Sequence, residues 1–310
     1  MTVLNTSRRD IAGLALMALV PGQAVARNIV TAQSTANAPT PDELRYLDRS
    51  RRLTVQVRVN GEGPFSFMVD TGANRSVISS ETADRLGLVR REKVALHGIA
   101  GVQDVDTVIV DEVRVGRRVD RGMVLSVLPE THLGAAGLLG LEWLGANSLM
   151  LDYGGRRMRV GSALPLPNER TVVVKARTQR SGLTLIDAHI PGRLIMAFLD
   201  SGSTTTVGNL ALLREARAHN AILGETVDIE LRSVTGQTLP GRIVVLRSLT
   251  LGKMILRNVP LVIGPVHTFD YWGMRDEPAL LIGSDILHKF DSIAMDFKRG
   301  EIRFQISARG

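Results

Sequence analysis

From Leu53 to Val59 the chain alternates apolar and polar residues, Leu-Thr-Val-Gln-Val-Arg-Val, the pattern of a strand with one buried face. Asn60–Pro64 turns it, and Phe65–Val69 is expected to return as a second strand that leads into Asp70. Ser76–Ser79 reads as a short strand. Ser80 is expected to cap a helix over Glu81–Leu86, which Gly87 ends. Two strand-like runs, Lys93–Leu96 and Val105–Val110, flank His97-Gly98-Ile99-Ala100-Gly101, whose glycines suit a flexible hairpin tip. Val113–Val115 and Met123–Leu128 add strands, and Gly137–Gly140, Leu141–Leu144 and Ser148–Asp152 are expected to complete the unit.

The same order then returns. Leu183–Ile190, a Pro191-Gly192 turn and Leu194–Leu199 lead into Asp200, and Leu210–His219 is the expected helix. Ser233-Val234-Thr235-Gly236-Gln237 falls where His97–Gly101 fell. Val259–Ile263 matches Met123–Leu128, and Ile293–Phe297 with Glu301–Phe304 forms a closing hairpin around Lys298-Arg299-Gly300. The two junctions are nearly identical: Val69-Asp70-Thr71-Gly72-Ala73 and, 130 residues later, Leu199-Asp200-Ser201-Gly202-Ser203. Each is followed by an apolar-apolar-Gly segment, Leu138-Leu139-Gly140 and Leu281-Ile282-Gly283. A long internal repeat of this kind implies duplication of one fold. The second copy is longer by about seven residues within Gly264–Ala279, a segment that holds Phe269, Tyr271 and Trp272. Those last two are expected either to pack the loop or to form a lip that meets substrate.

Composition narrows the class. With 44% hydrophobic and 22% charged residues the chain reads as globular, and its 30 glycines suit a turn-rich β protein. The net charge of +7 is spread along the length without a basic block interleaved with aromatics, which favours a solvated surface over nucleic-acid binding. The absence of cysteine excludes disulfides, thiol nucleophiles and thiolate metal sites. The six histidines show no ligand spacing, so no metal is expected. No Gly-x-Ser-x-Gly elbow is present, which argues against a serine hydrolase.

The N-terminus carries Arg8-Arg9, an apolar run Ile11–Val20 and an Ala24-Val25-Ala26 end, the plan of a secretory signal peptide with a resemblance to twin-arginine signals. The run is too short to span a bilayer. The expected division is a signal over residues 1–26, a disordered tether over 27–48, a first lobe over 49–165 and a second over 166–310. The expected address is outside the cytoplasm, periplasmic or secreted.

The paired Asp-Thr/Ser-Gly motifs, each with its glycine partner, resemble the active-site elements of the retropepsin and pepsin group of aspartic proteases, in the single-chain form of bacterial exported proteins. The match covers nearly all of residues 50–306. The resemblance implies an all-β fold of two small barrel lobes related by a pseudo-twofold axis, a cleft between them, and a monomer, because both halves lie in one chain. It implies Asp70 and Asp200 as the catalytic pair, with Thr71, Gly72, Ser201, Gly202 and Ser203 in support and the hydroxyls of Thr71 and Ser201 bracing the two loops. The flap and substrate-contacting residues would be His97, Gly98, Ile99, Gly101, Val234, Thr235, Gly236, Tyr271 and Trp272, with Gly98 and Gly101 as hinges. Neither flap holds the tyrosine that pepsin-like enzymes carry. The implied partner is an extended polypeptide, and the implied activity is peptide hydrolysis without cofactor; the alternative is an inactive two-lobed peptide-binding protein. Two carboxyls a hydrogen bond apart share one proton, so such a pair can activate water and protonate a carbonyl. Ser203 is expected to hydrogen-bond its carboxylate where Ala73 cannot, leaving the pair poorly stabilised as an anion and moving the working pH upward.

Overall fold

The structure, a computed structural model, describes residues 2–5, 43–45, 47–49, 52–144, 148–161, 164–179 and 183–307. The apolar run Ile11–Val20, the cut after Ala26 and the tether up to residue 42 lie outside the described residues. Three short strands precede the lobes: β1 (Thr2–Asn5), β2 (Glu43–Arg45) and β3 (Leu47–Arg49). The last two fall at the end of the expected tether and correct it, since they pair with Arg157–Arg159 and Arg52–Thr54.

The first lobe opens with β4 (Arg52–Val59) and β5 (Glu62–Val69), joined by a turn in which Asn60 and Gly61 both take positive φ. The alternation in β4 does its expected work: Val55, Val57 and Val59 are buried to within 1%. β6 (Val77–Ser79) and a helix over Ser80–Arg85 follow. The helix starts one residue earlier than expected, because Ser79 rather than Ser80 supplies the cap: its hydroxyl accepts from the Thr82 N–H at 3.0 Å. Next come β7 (Arg91–Gly98), β8 (Gly101–Val115), β9 (Arg118–Leu128), a turn of helix at Glu130–Leu133, β10 (Gly137–Leu139) and another at Leu141–Leu144. The sheet runs β3-β4-β5-β10-β6-β9-β8-β7, and β8 also pairs with β4, which curls it into a barrel. β10 threads between β5 and β6, parallel to the first and antiparallel to the second. Gly137 is required there, since a Cβ would sit 2.3 Å from the Phe67 ring.

The closing hairpin, β11 (Ser148–Asp152) and β12 (Arg157–Val160), leaves this sheet. β13 (Thr171–Thr178) leads into the second lobe, which repeats the plan: β14 (Thr184–Ile190), β15 (Arg193–Leu199), β16 (Val207–Gly208), a helix over Leu210–Ala218, β17 (Ile222–Arg232), β18 (Thr238–Leu251) and β19 (Met254–Ile263). A helix over His267–Tyr271 occupies the added segment, followed by β20 (Ala279–Ile282), a helical turn at Ser284–Leu287, β21 (Phe290–Asp296) and β22 (Glu301–Ile306). β20 lies between β15 and β16 as β10 lies between β5 and β6. The fold is all-β and two-lobed.

The expectation that Ser148–Asp152 completes the first lobe is corrected. β11 pairs antiparallel with β21 of the second lobe, Met150 opposite Ala294 and Leu151 opposite Ile293. The closing hairpins of the two halves thus lie side by side in one sheet, in the order β22-β21-β11-β12. Leu149, Leu151, Met158, Ile293, Met295 and Phe304 therefore join one core that runs through both lobes.

Trp143 is the largest fully buried side chain, 1% exposed, with the Arg118 guanidinium 4.5 Å from its ring centroid. Its indole N–H has no hydrogen-bond partner among the described residues. Trp143→Ala is predicted to lower unfolding stability by about 3–5 kcal/mol in denaturant titration, whereas Trp143→Phe, which gives up no hydrogen bond, costs much less.

Candidate active site

Asp70 and Asp200 each stand one residue beyond the end of an inner strand, β5 or β15. Each backbone N–H is tied to the inserted strand beside it: Asp70 N donates to Leu139 O at 3.0 Å, Asp200 N to Ile282 O at 2.9 Å. That is the physical role of the apolar-apolar-Gly segments. The following glycines take the chain back under the acids. Gly140 and Gly283 press on the same loops from behind, where a Cβ would lie 2.6 Å from the carbonyl oxygen of Arg75 or Thr205.

The loops are locked across the pseudo-axis. Thr71 Oγ1 donates to Leu199 O at 2.8 Å and accepts from Ser201 N at 3.0 Å. Ser201 Oγ donates to Val69 O at 2.8 Å and accepts from Thr71 N at 3.2 Å. Thr71 and Ser201 are buried, so these four bonds are shielded from water. Each carboxylate receives two backbone N–H donors on one oxygen: Gly72 and Ala73 on Asp70 Oδ1 at 2.8 and 3.0 Å, Gly202 and Ser203 on Asp200 Oδ1, both at 2.9 Å. The two carboxyls lie within hydrogen-bond reach of each other. A Cβ at Gly72 would fall 2.5 Å from Asp200 Oδ2, and one at Gly202 would fall 2.4 Å from Asp70 Oδ2. Only glycine leaves room for the opposite acid.

Enclosure away from water pushes both carboxyls up. Asp200 rises well above the ordinary carboxylate range, burial being the larger cause and the charge of Asp70 the second. Asp70 is raised less, because the Gly72 N–H, the bond with Asp200, the Ala73 N–H and the Arg52 charge all favour its anion. The pair therefore retains a shared proton and titrates as a unit. The Ser203 hydroxyl plays no part in this, contrary to expectation. It donates to Thr205 O at 2.8 Å and turns away from the acid, so both carboxylates have backbone donors alone.

Behind the dyad stands a pair of carboxylates that the sequence reading missed. Ser76 N donates to Glu142 Oε1 at 2.6 Å, while Thr206 donates from N and Oγ1 to Asp285 at 3.1 and 2.7 Å. The signal was present: each acid lies two residues past the repeated glycine, Gly140 or Gly283. Asp152 and Asp296, which also recur in the repeat, hold turns, accepting from Gly155 N and Arg299 N.

Both flaps lie over a cleft of about 760 Å³ whose walls include Leu96, Leu128, Leu133, Val234 and Leu281. The tips meet one another, and each reaches the opposite lobe. Ile99 and Ala100, at the β7–β8 tip, pack on Val266, Phe269, Met274 and Trp272 of the second lobe. The Ile99 carbonyl accepts from His267 N at 2.9 Å. His97 Nδ1 lies 3.0 Å from His267 Nε2, and the His97 ring stacks on Tyr271 at 4.0 Å. Val234, from the other tip, packs among Leu133, Leu138 and Met68 of the first lobe. Thr235 and Ser233 are buried where the tips cross, and Gly236 abuts the His132 ring. Gly98 is less a hinge than a contact point: a Cβ there would meet Ser233 Oγ at 2.6 Å. Gly101, at φ +141°, is a position that only glycine adopts comfortably. The added segment 264–279 is thus the seat of the first flap, and Tyr271 and Trp272 both pack it and line the cleft.

No metal-binding group of three or more His, Asp or Glu side chains occurs among the described residues.

Two predictions follow from this geometry. Thr71→Ala strips Ser201 N and Leu199 O of their partner, so it should cost about 1–3 kcal/mol in denaturant titration, while Thr71→Ser retains most of it. The second concerns the flap. Burial, then the charge of His267, holds the His97 imidazole below its usual value. The docked flap thus binds fewer protons than an undocked one, so docking is strongest above the free-histidine value and weakens as pH falls below it. Of the neighbouring groups, Asp270 is paired with Arg275 at 3.1 Å, and Tyr271 stacks on the His97 ring. Amide exchange at Ile99 and Ala100 should quicken as pH is lowered from about 7 to 5, and His97→Phe should abolish that dependence.

No curated protein matches the chain. A family model described as aspartyl protease matches residues 55–143 and 186–286, one stretch in each lobe and together more than half of the chain. Each match contains one aspartate of the pair, the glycine beneath it and its apolar-apolar-Gly partner, and on that ground the chain belongs to the aspartyl protease family.

Proposed function

We propose that the protein is an aspartic-type endopeptidase that cuts an extended polypeptide by means of an activated water. The observation that carries this is the pair of enclosed carboxyls, braced across the axis and within hydrogen-bond reach of each other. Like charges this close cannot both ionise cheaply, so the pair retains one proton and titrates as a unit. Asp70, ionised, takes a proton from a water held between the acids. Asp200, protonated, donates to the carbonyl oxygen of the scissile bond. The resulting tetrahedral diol collapses when the amine leaves with a proton returned through the pair, and no covalent intermediate forms. The backbone donors of Gly72, Ala73, Gly202 and Ser203 hold the carboxylates in plane throughout.

The flaps supply the rest. Crossed over the cleft, they exclude water and present strand edges, which suits an extended peptide better than a folded one. Substrate entry requires the Ile99 tip to leave its seat on the second lobe. We further propose that the chain is exported through the segment Arg8–Ala26 and works as a monomer outside the cytoplasm. The signal-like pattern supports the first point, and the presence of both aspartates in one chain supports the second.

Cleavage of a denatured protein tests the reading. Asp70→Asn and Asp200→Asn should each lower kcat by about 10²–10⁴-fold, and a statine-type inhibitor should block the wild type. Equal behaviour of wild type and Asp70→Asn would mean that the cleft binds without cutting. Because both carboxyls are raised, the folded form holds more protons than the unfolded one above the usual carboxylate value. Stability from this pair is therefore lost as pH rises through that window. Asp200→Asn should accordingly melt a few degrees above the wild type at pH 7, with the difference closing at pH 3.

A further inference from the structure

The two walls of the cleft are duplicates in backbone but not in charge. Thr54 pairs with Met68 and Leu185 with Phe198, each of the latter two residues before its aspartate, so Arg52 and Leu183 occupy the same place in the two lobes. Leu183 is buried with Phe198, Phe269 and Met274. Arg52 instead lines the cleft beside Asp70. Its Nη1 donates to Leu133 O at 3.1 Å, while its Nε is buried with no hydrogen-bond partner among the described residues. A second position differs in the same sense. Ser76 Oγ accepts from Gly140 N and Thr206 Oγ1 from Gly283 N, which sets Arg75 against Thr205. Arg75 also lines the cleft and makes no ion pair among the described residues.

Apart from the dyad, the charged residues of the lining are Arg52, Arg75 and Arg232 against Glu230. Arginines elsewhere close onto carboxylates, Arg177 on Asp187 at 2.6 Å and Arg242 on Asp228 at 2.7 Å. Among the described residues the cleft arginines form no such ion pair, although the charge of Arg52 acts on Asp70. A guanidinium half removed from water and held by one neutral carbonyl gains a charge-assisted partner when a carboxylate enters the cleft that it lines.

We infer that Arg52 anchors a carboxylate side chain of the substrate, so that the cleft selects polypeptides with an aspartate or glutamate on one side of the scissile bond. This rests on the endopeptidase reading for the identity of the ligand as a peptide. The selection is one-sided because the duplicate position holds Leu183, which is buried in its lobe and puts no cation into the cleft.

Binding separates this from catalysis. In the Asp200→Asn protein one member of the pair is neutral, as in a pair that shares one proton, so the charge of the cleft is preserved and peptides are not consumed. Fluorescence anisotropy with C-terminally amidated peptides, carrying Glu or Gln in turn at each position around an apolar pair, reads the Kd ratio. One position should favour Glu by about tenfold, a preference that weakens with salt. In the same background Arg52→Leu and Arg52→Gln should each reduce the ratio to about threefold or less, and Arg52→Lys should retain part of it. Arg52→Gln keeps a donor for Leu133 O, so it serves where Arg52→Leu folds poorly. In the otherwise wild-type enzyme, Arg52→Leu should also move the acid limb of the pH–rate profile upward, as Asp70 loses its cation. A ratio near one at every position overturns the inference, as does a preference that survives both charge-removing variants. A preference seen only with a free C-terminus overturns it in favour of terminal-carboxylate capture. If wild-type protein leaves every peptide intact while the ratio holds, the endopeptidase reading falls and the cationic subsite stands. Cutting without any Glu preference gives the reverse.

Discussion

The structure depends on two carboxyl groups being kept together although their charges oppose it. Each lobe contributes one, and the crossed bonds of Thr71 and Ser201 reach from each loop to the carbonyl at the end of the opposite strand. Because these bonds are buried and reciprocal, neither loop can retreat without leaving orphaned donors and acceptors on both sides. The glycines beneath the acids make the approach sterically possible. Burial raises the protonation of the pair, which lowers the repulsion and at the same time prepares it for acid–base work.

Around this pair the duplicated backbone is carried through in detail. Inserted strands, pressed glycines and the supporting acids Glu142 and Asp285 occur in both halves. Chemistry at a symmetric dyad would leave the location of the proton undecided. The side chains differ, with Arg52 near Asp70 and the buried Leu183 in the duplicate place. That difference places a cation on one wall of the cleft without a counterpart at the duplicate position.

The lobes are joined at three levels, each using a different interaction. At the base, β11 and β21 form a continuous sheet with a shared core. At the centre stand the crossed hydroxyls. At the top, the flap tips exchange places, Ile99 on the second lobe and Val234 on the first. The first two are buried and fully bonded. The third rests on a small apolar seat, one backbone bond and a histidine pair, so it is the level suited to opening.

Much of this was legible in the chain itself. The repeated Asp-Thr/Ser-Gly, its apolar-apolar-Gly partner and the alternating strands identified a duplicated β fold and both acids, because backbone turns and inner strands constrain residue type locally. Single residues misled where local chemistry was ambiguous: Ser80 yielded the cap to Ser79, and Ser203 turned its hydroxyl to Thr205 rather than to Asp200. What only the tertiary structure decided concerns contacts between segments far apart in the chain. Pairing of β11 with the other lobe, seating of the flap on residues 264–279, and the presence of Arg52 beside Asp70 leave no local pattern, since many partners satisfy an apolar strand face or a lone arginine equally well until the chain closes on itself.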